Sequence, residues 1–464
     1  MVHSTQKSIC IIGAGISGLT AAALLSKKGY NVTVYEKEAI VGGRALSLNG
    51  GSLTEENYRA ILSQYHSSIA FTEPELNTIM QDKSLDGYKI DLGYHAIGGG
   101  VLSNLNDVLQ EFDEHVDFLE SYVGFIDKNR YQFPFLSKID KLKILPNILR
   151  LLFASEKTLK RLDEVSITET IKKYGKGNMK LILEIFSRSI TTVNNLDRIS
   201  TGEMFRAQRN LYRGSKPVGY PKGGLNAIHQ KLADIIRNNG GNIKLKTPVE
   251  KIIIKNGKAV NVKINGKIQS YDYFIYSGLL QSFFSIVDES KFPFKYVTTL
   301  KGLTGTGSLS AYYSLKNIPV DLIGKTFHFI ERDAGVDGKD AVGMIDFMAA
   351  HPESKISPSG EKVIQAYIIC TPEEAKNRDV LIRLKKVLDK NLNRLIPEYK
   401  KQLNWALYPA VWHLDGVAKT IDNPKPEIHT PIKNLFVIGD GVKAPGIGFN
   451  CALNSARKLD KKYF

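Results

Sequence analysis

Apolar and polar positions near the beginning of the sequence predict a strand, a helix and a second strand. Ser8 to Ile12 (SICII) is a short apolar run typical of a buried parallel strand. Leu19 to Lys28 is rich in Ala and Leu, which predicts a helix, and Gly29 closes it. Tyr30 to Tyr35 (YNVTVY) predicts the second strand. Together these segments indicate a β–α–β unit.

Comparable patterns return later in the sequence. A helix is predicted within 222–239, where Gly240-Gly241 stops it and one face carries Leu225, Ile228, Leu232, Ile235 and Ile236. Short β-runs follow at 243–246, 249–255, 259–264 and 267–276, and the pairs Asn256-Gly257 and Asn265-Gly266 predict hairpin turns within a β-meander. Near the end of the sequence, 434–438 (NLFVI) predicts a strand and 450–458 a helix.

A glycine motif connects the first strand to the first helix. It reads Gly13-Ala14-Gly15-Ile16-Ser17-Gly18, which is G-x-G-x-x-G. The first glycine permits a tight turn, the second lets a pyrophosphate approach the backbone, and the third lets helix and strand pack closely. Glu36 ends the second strand, where its carboxylate would accept hydrogen bonds from a ribose diol and repel a 2′-phosphate. The motif in this context predicts a dinucleotide site.

The motifs GAGISGL (13–19), VYEKE (34–38) and VGGRA (41–45) together resemble the FAD-dependent family of phytoene desaturases, amine oxidases and protoporphyrinogen oxidases. The resemblance implies an α/β protein with a Rossmann-like FAD-binding domain of the glutathione-reductase type and an inserted α+β substrate-binding domain. The FAD domain would be discontinuous, over 1–100, 217–280 and 405–464, and 101–216 with 281–404 would form the substrate domain. Covalent amine oxidases carry a cysteine before the last strand. None stands between Trp405 and Ile438, so FAD is expected to bind non-covalently.

The resemblance also implies which residues touch the cofactor. Arg44 would meet the pyrophosphate or the flavin edge, and Asp440 would bond the ribityl hydroxyls or the pyrophosphate. The amino end of the last helix, near Gly448, would place a positive dipole end beside flavin N1 and O2. Without the resemblance, Arg44 is a loop arginine, Val249 a core strand residue and Asp440 a turn cap. The full set of predicted contacts is Gly13, Gly15, Ile16, Ser17, Gly18, Glu36, Lys37, Gly43, Arg44, Gly93, Val249, Gly439, Asp440, Ile447, Gly448 and Phe449.

Candidate catalytic groups stand in two segments. His95 belongs to YKIDLGYHAIGGG (88–100), and Tyr408, Trp412 and His413 belong to the aromatic stretch YPAVWHLDG (408–416). A histidine beside glycines also serves as a structural hydrogen bonder, and an aromatic cluster also serves as core. The sequence names no catalytic base, and no cluster with metal-ligand spacing is present.

The ending PGIGFNCALNSA (445–456) resembles that of phytoene desaturases, and it predicts desaturation of a hydrophobic, isoprenoid or carotenoid-like substrate by hydride transfer to flavin N5. Oxygen or a quinone would accept the electrons. Gly448 stands where amine oxidases carry an aromatic ring, which weakens the amine oxidase alternative. A protoporphyrinogen oxidase, a polyene saturase or isomerase, and a carrier of prenyl groups like the GDP-dissociation inhibitors, which would bind no flavin, stay open.

Composition and charge add a partner and a compartment. The 464 residues are 43% hydrophobic and 24% charged, as in ordinary globular proteins, and the formal charge of +16 favours anionic partners. No nucleic-acid module is recognisable, so nucleic acid is not predicted. Segment 134–162 has seven Lys or Arg against two acidic residues among many apolar ones, which predicts contact with an anionic membrane or an ordinary helix pair. Distant cysteines, no signal-like start and no long apolar run predict a cytoplasmic protein, peripheral on the inner face of the membrane.

Overall fold

The computed structural model describes residues 6–127, 131–139, 153–175, 178–211, 218–334 and 339–464, with positions 142, 143, 145, 146, 149 and 336. The strands are β1 Ser8–Ile12, β2 Asn31–Tyr35, β3 Ser47–Asn49, β4 Ser67–Glu73, β5 Lys89–Asp91, β6 Ile97–Gly98, β7 Phe118–Ser121, β8 Val123–Ile126, β9 Tyr131–Gln132, β10 Val218–Pro221, β11 Asn242–Lys244, β12 Val249–Lys255, β13 Lys258–Ile264, β14 Lys267–Ser270, β15 Tyr273–Tyr276, β16 Gly307–Leu315, β17 Thr326–Glu331, β18 Ala341–Asp346, β19 Lys362–Cys370, β20 Leu403–Val411 and β21 Leu435–Val437. The helices are α1 Ile16–Lys27, α2 Glu55–Gln64, α3 Leu76–Gln81, α4 Asn104–Gln110, α5 Glu156–Leu162, α6 Ile167–Tyr174, α7 Asn178–Thr191, α8 Thr201–Leu211, α9 Asn226–Asn238, α10 Phe294–Lys301, α11 Arg378–Leu395 and α12 Gly448–Tyr463.

A five-stranded parallel sheet forms the first unit, in the order β11-β2-β1-β15-β21. Helix α1 follows β1 directly and packs against α9 and α12. Because helices cover a parallel sheet, its strands are apolar runs rather than alternating ones, and Ile9, Cys10 and Ile11 are fully buried. The glycine turn therefore lies at the carboxyl ends of the strands, where open α/β sheets bind their ligands.

The predicted β-meander is confirmed in its centre and corrected at both ends. Strands β12, β13 and β14 form an antiparallel sheet, and the Asn-Gly pairs that join them have positive φ at both residues. The runs expected at 243–246 and 267–276 contribute β11 and β15 to the parallel sheet instead. The physical reason is burial: Phe274 and Ile275 of β15 are fully buried and need cover on both faces, whereas β14 is largely exposed.

An eight-stranded sheet forms the second unit, in the order β4-β20-β16-β19-β18-β17-β8-β9. One face packs its apolar side chains, Phe327 and Phe329 among them, against the apolar stripe of α11. The opposite face looks towards the parallel sheet. With the parallel sheet, this arrangement confirms the predicted α/β class with a second, α+β unit. Strands β4 and β20 lie largely in segments that the sequence assigned to the first domain, yet they pair with the second sheet, so the boundaries near 100 and 405 do not follow the sheets.

Among the described residues, no helix combines the length and the apolar character needed to cross a membrane.

Candidate functional site

A cavity of about 630 Å³ extends from the glycine turn of the parallel sheet to the inner face of the eight-stranded sheet. Its nucleotide end is lined by Gly15, Glu36, Arg44 and Val249 with their neighbours. The far end is a slot lined by side chains from α7 and from β17 to β19: Phe186, Ser189, Ile190, His328, Met344 and Tyr367. One continuous space thus joins a nucleotide-type turn to a largely apolar slot.

The three glycines of the turn have different surroundings. Gly13 has φ +105°, and a side chain there would press on the Ser277 carbonyl oxygen at 3.2 Å. A Cβ on Gly18 would lie 2.0 Å from the Gly13 carbonyl oxygen, so only glycine lets the helix pass this close to the turn. A Cβ on Gly15 would meet no protein atom within 4 Å, because it would point into the cavity. This open side fits the close approach of a pyrophosphate.

Glu36 lines the nucleotide end, as expected. Its Oε2 accepts a 2.6 Å hydrogen bond from the Ala14 N–H, and Oε1 accepts one of 3.0 Å from the Glu38 N–H. Burial raises the pKa of Glu36, and the two backbone donors oppose that effect. The carboxylate is thereby tied to the glycine turn. Val249 and the exposed Lys37, which pairs with Glu38 at 3.1 Å, also line this end.

Arg44 and Asp440 bind one another across the cavity wall. The Arg44 Nη2 lies 2.8 Å from Asp440 Oδ1, and Nη1 donates to the His413 carbonyl at 2.8 Å. Asp440 Oδ2 accepts the Gly416 N–H at 2.6 Å. Burial raises the pKa of Asp440, but the Arg44 guanidinium and the Gly416 N–H lower it more, so it lies below its ordinary value. The pair ties the 41–45 loop to the 413–416 and 439–441 turns, and both side chains still line the cavity.

The amino end of α12 faces the cavity through Ile447, Gly448 and Phe449. Gly448 has φ +40°, and a Cβ there would lie 2.9 Å from Asp415 Oδ1. Gly439, with φ +135°, begins the turn before Asp440 and also lines the cavity. The free N–H groups at the start of α12 give this wall a positive dipole end, which suits the electron-rich edge of a reduced flavin.

Three further predicted contacts, from the glycine turn and its neighbour loop, line the cavity. Ile16 and Ser17 open α1 against the cavity, and Gly43 lines it with φ +61° beside Gly15. The open Gly15 face, the tethered Glu36 carboxylate and the two helix amino ends together fit a flavin dinucleotide.

A hydrogen bond joins the ring of His95 to the backbone carbonyl of Gly93. The Gly93 carbonyl accepts the Tyr312 hydroxyl at 2.7 Å and the His95 Nδ1–H at 2.7 Å, and Gly93 itself is not among the cavity-lining residues. Because a carbonyl only accepts, Nδ1 of His95 carries the proton and Nε2 is left as an acceptor. Burial lowers the pKa of His95 to about 4, so the ring is neutral at neutral pH. His95 lines the cavity as a neutral, oriented imidazole.

Tyr408, Trp412 and His413 do not line the cavity, which corrects their interpretation as candidate catalytic groups. The hydroxyl of Tyr408 donates to Asp389 of α11 at 2.9 Å on the opposite face of the sheet. Trp412 lies under the Lys376 ammonium. His413 contributes its backbone carbonyl to Arg44, and its ring packs edge-on against that of His66, which does line the cavity. These three side chains have packing roles.

Several polar side chains of the cavity were not found from the sequence. Asp415 lines it, and its Oδ2 accepts from Lys419 Nζ at 2.9 Å and from the Thr192 hydroxyl at 3.3 Å. Burial alone would lower the pKa of Lys419, but the neighbouring Asp415 carboxylate holds it above its ordinary value, so Lys419 stays charged. An acidic and a basic residue four positions apart in an apolar stretch, Asp415 and Lys419, formed the sequence signal that could have identified this ion pair. Ser189 and His328 line the slot at the far end, and no local pattern marks them.

Buried histidines predict acid sensitivity. Burial, as the first cause, lowers the pKa of His95, His328 and His413 to about 4 and that of His229 to about 3. Since these values lie below the unfolded value of about 6.5, the unfolded chain binds more protons in acid. The resulting stability is present above pH 6.5 and is lost as the pH falls towards 4.

We therefore expect His229→Leu to flatten the fall in the free energy of unfolding between pH 7 and pH 4 by about 3 kcal/mol, measured by urea titration. Both ring nitrogens of His229 lack partners among the described residues, so leucine loses no hydrogen bond. The same change at the exposed His115 is the control. Equal slopes for both variants would contradict the assignment. The buried Asp91 and Asp346, whose pKa burial raises to about 6, act in the opposite sense but cancel in the comparison with wild type.

Comparisons with known proteins place the chain in a family. The family model "Flavin containing amine oxidoreductase" matches residues 16–458. A 4,4'-diapophytoene desaturase from Methylomonas is 26% identical over 56% of this chain and 51% of its own length. A 1-hydroxycarotenoid 3,4-desaturase from Flavobacterium is 26% identical over 67% of this chain and 64% of its own length. The chain thus spans between half and two thirds of these curated relatives.

A solved structure gives the same result for the fold. The crystal structure of an oxidoreductase from Methanosarcina mazei superposes with a TM-score of 0.73 at 20% identity, over 98% of this chain and all of that one. The similarity confirms the fold. The chain therefore belongs to the family of flavin-containing amine oxidoreductases.

Proposed function

We propose that this enzyme binds FAD non-covalently and desaturates a hydrophobic, isoprenoid or carotenoid-like chain. The observation that carries the proposal is the single cavity that joins the glycine turn to a slot with Ala96, Val123, Phe186, Ile190 and Met344 in its walls. The desaturase names of the curated relatives point to the same substrate class. No cysteine stands among the residues that line the cavity, in keeping with non-covalent binding.

Asp415 is the proposed proton acceptor. When bound, the flavin supplies the acceptor for the hydride that leaves one substrate carbon, and oxygen or a quinone takes the electrons afterwards. The proton on the neighbouring carbon needs a base, and Asp415 offers a carboxylate in the cavity wall beside the amino end of α12. Lys419 and Thr192 hold Oδ2, which leaves Oδ1 directed towards Gly448 and the cavity. Loss of hydride and proton leaves a double bond.

The amine oxidase alternative is less well supported by the aromatic side chains. An aromatic cage needs two rings that face each other across a gap, so that an amine can enter between them. The cavity tyrosines Tyr94 and Tyr367 stack on one another instead, with centroids 4.7 Å apart and planes at 18°. Their contact leaves no space for an amine.

The test is the anaerobic visible spectrum of the purified protein before and after addition of liposomes that carry a C30 or C40 polyene precursor. We expect the bands of oxidised flavin to disappear. Bleaching by a soluble amine or a tetrapyrrole, and not by the polyenes, would overturn the proposal in favour of the amine or porphyrinogen oxidases. Purified protein without flavin would favour the prenyl carrier.

We also propose that the described part of segment 134–162 contacts an anionic membrane. Large apolar side chains there are between 43% and 82% exposed: Ile139, Leu142, Leu145, Leu149 and Phe153. Exposed lysines accompany them at 138, 143, 157 and 160. Positions 140, 141, 144, 147, 148 and 150–152 of the segment lie outside the described residues. Exposed basic and apolar side chains within one segment suit the interface of an anionic bilayer.

Phe153→Glu should weaken binding to phosphatidylglycerol vesicles about thirtyfold, measured by co-sedimentation, since burial of one phenylalanine contributes about 2 kcal/mol. Phe294→Glu is the matched control, because Phe294 is also 82% exposed but lies on α10. Equal losses in both variants, or equal binding of the wild type to uncharged vesicles, would contradict this contact.

A further inference from the structure

The floor of the slot is a row of side chains that crosses the eight-stranded sheet. His328 on β17 stands opposite Met344 on β18, Met344 opposite Tyr367 on β19, and Tyr367 opposite Ser310 on β16. Residues in register on neighbouring strands point to the same face. Since His328, Met344 and Tyr367 all line the cavity, this row faces the substrate. A slot that binds only hydrocarbons would not need the polar side chains of this row.

His328 forms a pair with Ser189, which reaches the slot from α7. The Ser189 hydroxyl lies 3.0 Å from Nδ1 of His328, and the ring packs against Phe186. His328 is 5% exposed, and its Nε2 has no partner within the described part of the chain. Burial lowers the pKa of His328 to about 4, so the imidazole is neutral. A neutral imidazole presents one free nitrogen to the slot.

The pair can present that nitrogen in two ways. If the Ser189 hydroxyl donates to Nδ1, then Nε2 of His328 carries the proton and donates. If Nδ1 donates to the serine oxygen, Nε2 accepts. A hydroxyl group fits both states and a carbonyl fits the first, whereas a hydrocarbon leaves the nitrogen unpaired in an apolar slot, which is costly.

We propose that the slot takes an isoprenoid-type chain that carries an oxygen atom, as a hydroxyl or a carbonyl, and that Nε2 of His328 hydrogen-bonds this oxygen. Ser189 is the positioning residue that sets the proton on the ring. The proposal rests on the proposed function and narrows its substrate class from isoprenoid or carotenoid-like chains in general to those that carry an oxygen atom. The proposal concerns only how the substrate is recognised, and no covalent bond is made or broken.

The test compares two ligands that differ only at one end. The holoprotein is titrated by calorimetry with the C20 alcohol geranylgeraniol and with the hydrocarbon in which a methyl group replaces its CH₂OH, both in the same detergent. We expect the alcohol to bind at least tenfold more tightly, since a site built to bond an oxygen rejects the analogue that lacks it. His328→Phe and Ser189→Ala should each reduce this ratio to less than threefold.

Met344→Leu is the matched control, because Met344 lies beside His328 in the same row but has no hydrogen-bonding hydrogen. It should change the affinities of both ligands by the same factor. Unchanged flavin content and melting temperature establish that each variant is folded, and Ser189→Ala, the smaller change, serves if His328→Phe does not fold. Equal affinities in the wild type, or a tenfold ratio that survives in both variants, would overturn the proposal.

The two proposals fail in different ways. If the alcohol binds tenfold better but no polyene bleaches the flavin, desaturation is wrong and the recognition of oxygen stands. If hydrocarbon polyenes bleach the flavin and bind as well as oxygenated ones, desaturation stands and the recognition of oxygen is wrong.

Discussion

Gly15→Val is expected to leave the fold intact and to lower flavin affinity by about a hundredfold or more. Gly15 has φ −75°, which any residue adopts, and a Cβ there meets no protein atom within 4 Å. The valine side chain would instead occupy the place in the cavity where the pyrophosphate approaches the turn. Affinity is measured by flavin fluorescence during titration of the apoprotein, and stability by its melting temperature.

Gly18→Ala provides the contrast, because its defect lies in the protein itself. The new Cβ would lie 2.0 Å from the Gly13 carbonyl oxygen, and backbone atoms on both sides cannot move apart without separating α1 from the turn. We expect a loss of about 3 kcal/mol or more in the free energy of unfolding of the apoprotein. Full flavin occupancy in Gly15→Val would show that the pyrophosphate binds elsewhere.

Asp415→Asn is expected to slow anaerobic flavin reduction by the polyene about 10²- to 10⁴-fold, the usual contribution of a positioned base. The amide keeps the shape of the carboxylate but cannot take up the proton. Substrate affinity should change little, because the substituted group acts on the reaction rather than on the chain that binds. Stopped-flow spectroscopy separates the two quantities.

Variants of Lys419, the ion-pair partner of Asp415, distinguish a chemical role of Asp415 from a structural one. Lys419→Met leaves the buried Asp415 carboxylate without its counter-ion, which should cost about 3–5 kcal/mol of stability. The double variant Asp415→Asn/Lys419→Met should recover much of that stability and stay slow. A double variant that recovers the rate together with the stability would show that Asp415 only supports the fold.

In the aromatic segment 408–416, the sequence pattern does not predict which side chains point towards the cavity. Strand β20 is buried on both faces, so its apolar and aromatic residues do not alternate with exposed polar ones. Nothing in its pattern says which face meets the cavity. Tyr408 points to α11, and the polar group that reaches the cavity from this segment is Asp415, at its end.

Segment 243–276 shows a related limit. The Asn-Gly turns determine the hairpins by their own backbone preference, and these were predicted correctly. Whether a neighbouring run joins the same sheet depends on which surface is left to cover it, and this is a property of the assembled chain. Strand β15 therefore pairs with β1 in the parallel sheet and is not part of the meander.

The sequence by itself determined the nucleotide end of the cavity. The turn, helix α1 and Glu36 lie within about thirty residues of one another, and each depends on local requirements: positive φ, close helix approach, or a strand end. The family and its flavin follow from that local pattern. The far end of the cavity was decided only by the tertiary structure. Ser189 and His328 are 139 residues apart, and Asp415 reaches the same space from a third segment. Only the register of the eight-stranded sheet and the packing of α7 against it bring these groups together, and neither leaves a trace in the local sequence.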